Sequence, residues 1–137
     1  MAENPYATPD AEITPAFSDA PQMWNPNGAG NWSLLFTPVF GSFLVWKNWQ
    51  AIGESSRGLG WFICSLVMLL PSVLIPGAGI LYLIVWYFSS VKKQTRFIED
   101  RWGKQYPRRG WTKPLLCGVA AYVVIVGTVV LIAEFSG

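Results

Sequence analysis

Apolar residues fill long unbroken stretches of this chain, and the polar residues are gathered between them. The pattern predicts an all-α protein whose helices are solvated by lipid, with transmembrane spans at about 33–52, 59–75, 78–94 and 115–133. The span at 33–52, "SLLFTPVFGSFLVWKNWQAI", has an uncharged part that ends at Trp46. Snorkelling by Lys47 extends it to about twenty residues, or roughly 30 Å of helix. Trp32, Trp46 and Trp49 lie near its ends, where an interfacial belt is placed. Pro38 and Gly41 would bend a helix here, so an interfacial or half-inserted helix is the rival reading.

Gly58 to Val91 contains no charge over 34 residues. One helix of that length would measure about 51 Å, against a hydrocarbon core of about 30 Å. At its centre, "LLPSVLIPGAGIL" places Pro71, Pro76, Gly77 and Gly79 where a turn is needed. Two short spans joined by a tight turn follow, with Trp61 and the Trp86–Tyr87 pair expected at the other interface. The stretch "LLCGVAAYVVIVGTVVLIA", 115–133, is the cleanest span, opened by Pro114 and closed by Glu134. Its β-branched residues would favour a strand in water, but in lipid a lone strand leaves its backbone unsatisfied.

Charge sets the orientation. Of the ten Lys and Arg residues, eight fall between Lys92 and Lys113. Short loops rich in these residues stay in the cytoplasm, so 92–113 is expected to be a basic cytoplasmic loop, with Arg57 on the same side. Four spans would then put the N-terminal tail and the C-terminus outside. A three-span alternative, with the central run as one helix, would put the tail inside. The tail, 1–31, carries Glu3, Asp10, Glu12 and Asp19, five prolines and no Lys or Arg, and is expected to be disordered. It has no basic start, apolar core or small-residue cleavage site, and so does not read as a signal peptide. The helical membrane domain is 32–137. With 52% hydrophobic and only 13% charged residues, the chain carries too little charge to cover a soluble globule.

The basic loop holds the candidate contacts: Lys92, Lys93, Arg96, Arg101, Trp102, Lys104, Tyr106, Arg108, Arg109 and Lys113. Phe97, Ile98, Trp102 and Tyr106 recur at near-helical spacing, which suits a helix running out of the third span along the membrane surface. Gly103 weakens it, and Pro107 with Gly110 should end it. The partners expected are anionic lipid headgroups, at about 1 kcal/mol per base near the surface, and a protein. Nucleic acid is not expected, because no fold around the loop shapes a groove.

Chemistry for catalysis is sparse. The chain has no His, and no P-loop, H-E-x-x-H or C-x-x-C pattern occurs. Adjacent Glu99 and Asp100 read as solvated partners of nearby bases, and Ser65, Ser72 and Thr128 as helix-packing hydroxyls. Cys64 and Cys117 read as small buried hydrophobes. Gly118, Ala120, Ala121 and Gly127 offer small surfaces for close helix approach. No catalytic, metal or cofactor residue is expected, and no cofactor.

Two segments carry a resemblance. "ENPYATPDAE" resembles the N-P-Y-x-x-P tails of small bacterial inner-membrane proteins. "YPRRGWTKPL" and "WSLLFTPVFGSFLVWKNWQAIGE" are similar to segments of a group of short bacterial membrane proteins. The resemblance implies a multi-pass protein of the bacterial inner membrane, and no activity. The expected function is therefore non-catalytic: binding a partner in or at the bilayer, as an immunity protein against a membrane-acting toxin would. The alternatives are an accessory subunit of a larger membrane complex, or a small homo-oligomeric channel or carrier.

Overall fold

The computed structural model describes residues 19–137, and the expectation of disorder for residues 1–18 lies outside them. Helix α1 spans Pro26–Ile52. Asn25 caps it by accepting the Asn27 N–H at 3.1 Å, and Pro26 occupies the first turn, where its missing N–H costs little. The helix breaks at Thr37, whose φ of 75° and ψ of 159° are not helical. Pro38 supplies no N–H and disfavours helical angles in the residue before it.

The break is a reversal. Ser33 lies against Gly41, and the Trp24 backbone N–H donates to Asn48 Oδ1 at 2.9 Å. A straight helix would hold Asn48 some 30 Å from the start of α1. α1 is therefore two antiparallel arms, 26–36 and 38–52, meeting at Thr37. Gly41 permits the close approach: a Cβ there would sit 2.8 Å from the Ala29 carbonyl and 2.6 Å from the Trp86 ring. This corrects the expected single span at 33–52. The arms measure about 16 and 22 Å, both short of a core of about 30 Å.

Helix α2, Ser55–Val67, leads through Met68 into α3, Leu69–Leu74. The chain turns over at Ile75–Gly77, where Gly77 takes a φ of 84°. It returns as α4, Ala78–Trp86, a π-helical stretch Tyr87–Val91, and α5, Lys92–Trp102. The helical path ends at Gly103, φ 76°, before Pro107 and Gly110. Helix α6 spans Thr112–Ser136. Among the described residues all regular structure is helical, apart from one bridge between Met23 and Arg108. Two stretches, Ser55–Leu74 and Thr112–Ser136, are long and apolar enough to cross a membrane.

The core forms where the α1 arms meet the returning helix. Ala29, Leu44, Val45, Trp49, Trp86 and Val91 are its buried members. Trp86 is fully buried, so it does not serve at an interface as expected. Gly58 lets α2 approach the long arm, its Cβ position lying 2.7 Å from Trp46 Cα. α6 touches the rest at its start. Trp111 lies against Gly28, and Gly118 against Phe36 and Phe40, so α6 runs in the direction of arm 26–36. Every residue beyond Gly118 is exposed, leaving about 27 Å of apolar helix uncovered. Gly127 is open, so of the small residues on α6 it is Gly118 that makes a close helix contact. Cys64 and Cys117 are exposed on apolar helices, where burial was expected. Lipid can solvate such residues as well as a core does.

Candidate functional site

The basic loop is a folded element, held by the chain just before α1. Met23 N–H donates to the Pro107 carbonyl at 3.1 Å, and Arg109 N–H donates to the Met23 carbonyl at 2.9 Å. Arg109 Nε donates to the Gln22 carbonyl at 3.0 Å, and its guanidinium lies 4.7 Å from the Trp24 ring centre. Trp24 Nε1 completes the seam by donating to the Gly110 carbonyl at 3.2 Å. Beneath it, Ala20, Met23, Ile98 and Tyr106 form a second buried cluster. The expected tail boundary at 31 is corrected accordingly. Residues 20–25 pack against the loop and 26–31 belong to α1, because Ala20, Met23, Pro26 and Ala29 find apolar surface to bury.

The seam also places the two segments on one side of the molecule. A four-span arrangement with residues 20–25 across the membrane from the basic loop is incompatible with these hydrogen bonds.

A buried amide network ties the seam to the core. Asn48 Nδ2 donates to the Trp24 carbonyl at 2.7 Å and to Gln94 Oε1 at 3.0 Å. Gln94 Nε2 donates to the Val45 carbonyl at 2.9 Å. Both amides are almost fully buried, so each bond satisfies a group that is costly to leave unpaired. Asn48 and Gln94 were not among the sequence candidates. Asn48 is a buried amide on the largely apolar arm 38–52, whereas Gln94 follows two lysines in the polar stretch of α5 and has no such signal.

Of the ten candidates, Lys93, Arg96, Arg101, Lys104, Arg108, Arg109 and Lys113 are exposed, while Lys92 and Trp102 are half-buried. Tyr106 is corrected from contact to core: it is 8% exposed and packs beneath the seam. Several cations rest on aromatic faces. Arg101 lies 5.0 Å from the Trp102 ring centre, Arg108 5.3 Å from Tyr106 and Lys92 5.6 Å from Tyr87. Arg57, outside the basic loop, joins them by lying 5.3 Å from both Trp49 and Phe97. Such contacts hold a charge where an apolar body meets water.

Glu99 and Asp100 were expected to pair with nearby bases. Among the described residues the single ion pair is Arg57 with Glu54, within one turn of chain. Glu99 instead lines a small cavity of about 100 Å³, together with Asn25, Asn27, Thr95, Lys104 and Arg108. Burial raises the Tyr106 phenol above its ordinary value, Arg108 opposes the shift, and Glu99 adds to it.

A larger groove of about 350 Å³ opens between the Thr37–Pro38 break and helices α3 and α4. Nearby, Ser65 bonds the hydroxyls of Ser42 at 2.6 Å and Tyr82 at 2.8 Å, so these groups satisfy one another between helices. Among the described residues no three His, Cys, Asp or Glu side chains are grouped to hold a metal.

No protein-family model matches the chain, and no curated protein or solved structure matches it either.

Proposed function

We propose that this chain is a multi-pass protein of the bacterial inner membrane that acts by binding, without catalysis. Its working surface is the cytoplasmic basic face built from residues 20–25 and 92–113. In this reading α6 crosses the bilayer, α2 to α5 enter and return as one hairpin, and the α1 arms form a shorter re-entrant hairpin. The observation that carries it is the seam between Met23 and Arg109. A loop that served only to orient the chain would need charge but no fold. Here the exposed bases stand on a packed platform with fixed spacing, which suits recognition of an anionic partner. Anionic lipids would hold the face at the surface, at about 1 kcal/mol per base.

The test is photocrosslinking in intact membranes from positions Arg96 and Arg101 on the basic face and Val123 and Ile132 on α6. A protein adduct from position 96 that disappears with Arg101→Glu, or from position 101 that disappears with Arg96→Glu, supports the reading. Recovery of a pore-forming toxin would identify an immunity protein, and recovery of a large assembly an accessory subunit. Lipid adducts alone, together with ion flux in liposomes holding only this protein, would reject it in favour of a channel.

A further inference from the structure

The cavity beside the seam is built from three separate parts of the chain: Asn25 and Asn27 at the start of α1, Thr95 and Glu99 on α5, and Lys104 and Arg108 on the loop. We infer that it binds the headgroup of a phosphoethanolamine lipid, its phosphate toward Lys104 and Arg108 and its ammonium toward Glu99. The inference rests on the reading of the basic face as membrane-facing, and adds a chemically selective site to it.

Three features of the cavity carry this. First, it presents charge of both signs. Lys104 and Arg108 are cations, and the N-terminus of α1, with its dipole directed to favour an anion, adjoins them. Arg108 is held in place, with Nη2 donating to the Lys104 carbonyl at 3.2 Å and its guanidinium over Tyr106. Second, Glu99 is a carboxylate among eight bases that makes no ion pair with any described residue. A site for a plain anion would be weakened by it, whereas a ligand carrying an ammonium beside its phosphate turns it to advantage. Third, the cavity is small, about 100 Å³, and apart from Ile98 it is bordered by hydrogen-bonding side chains. A primary ammonium fits there and can donate to a carboxylate, but a trimethylammonium is bulkier and donates nothing. Its depth is suitable too. The cavity adjoins the start of α1, and Trp111, one residue before α6, packs on Gly28. That level is where a headgroup lies if α6 crosses the bilayer.

The experiment is native mass spectrometry of the full chain released from micelles containing equal amounts of phosphatidylethanolamine, phosphatidylglycerol and phosphatidylcholine with the same acyl chains. The ethanolamine lipid should be retained over the choline lipid by about tenfold, the worth of one charge-assisted hydrogen bond. Glu99→Gln should erase that preference while leaving the glycerol lipid bound. Arg108→Gln should weaken both phospholipids that the wild type retains, and Arg96→Gln, outside the cavity, should leave the ratio of ethanolamine to choline lipid unchanged.

Equal retention of ethanolamine and choline lipids by the wild type would overturn the inference. So would a preference for the ethanolamine lipid that survives Glu99→Gln, or its loss in Arg96→Gln. Displacement of the lipid by an equal concentration of soluble O-phosphoethanolamine would overturn the lipid source and give the site to a free phosphoester. The Arg101 crosslink reports partner binding separately, so loss of headgroup selection with that crosslink intact would sink this inference alone.

Discussion

The backbone N–H of Arg109 donates to the carbonyl of Met23, joining the chain ahead of the first helix to the loop that precedes the last. The bond holds the two segments side by side. Residues 20–25, the short loop at 53–54 and the basic loop share one face, and α6 departs from it. Single cysteines replacing Gln22, Ser55, Lys104 and Ser136, in a background with Cys64 and Cys117 replaced by Ser, test this in intact cells. With a membrane-impermeant thiol reagent, the first three should stay unlabelled and Ser136→Cys should react. Labelling of Gln22→Cys together with Ser136→Cys would restore the tail-outside arrangement and contradict the seam.

Asn48 is the point where the seam meets the core, through bonds to Trp24 and Gln94. Asn48→Ala removes three hydrogen bonds and leaves buried partners unsatisfied, at a cost of about 2–3 kcal/mol. The loss should appear in reversible unfolding in mixed micelles and as faster proteolysis within residues 20–25. Gln50→Ala, an exposed amide one half-turn away, should change neither. Equal stability of Asn48→Ala and wild type would show that the network contributes nothing net.

Much of this architecture was legible in the sequence, and the misses have a common cause. Uncharged runs locate helices in lipid, and Pro76–Gly77 marks a turn because no partner is needed to see why a helix stops there. Pro38 and Gly41 announced a bend, but its angle depends on what Gly41 lies against. Only the fold shows that this is Trp86 and the Ala29 carbonyl. The basic residues were visible as a cluster of charge. The platform beneath them was not, because Ala20 and Met23 lie far ahead of Ile98 and Tyr106 in sequence and share no pattern with them. The positive-inside rule set the tail and the loop on opposite sides only by counting 33–52 as one crossing, whereas the chain turns back at Thr37 and residues 20–25 bond to the loop.

The reversal itself is testable by distance. Asn31 and Gln50 are both exposed, one on each arm of α1. A straight helix would separate their backbones by about 28 Å, and the antiparallel arms bring them to roughly 15 Å at usual helix spacing. Pulsed spin resonance between labels at these positions in bilayers resolves the two after allowance for linker length. Thr37 is a β-branched residue held at positive φ, in a region that suits glycine, so Thr37→Gly should stabilise the protein by about 1–2 kcal/mol without changing the distance. A distance near the straight-helix value would remove the re-entrant hairpin from the structure.

Tyr106 makes the seam sensitive to alkali. Its phenol is raised above the ordinary value of about 10 by burial, with Glu99 adding to the shift and Arg108 opposing it. The contribution to stability is fully present below the unfolded value. As pH rises past about 10 the unfolded phenol releases its proton while the folded one keeps it, and the contribution is lost as pH climbs through the folded value. Absorbance of phenolate near 295 nm, taken as the difference between wild type and Tyr106→Phe, should therefore show a phenol titrating above the ordinary value of about 10. Proteolysis within residues 20–25 should accelerate over the same range in the wild type, and the Tyr106→Phe variant should lack that component. A Tyr106 that titrates at or below 10 would mean that the phenol is open to water, and that the cluster beneath the seam does not close over it.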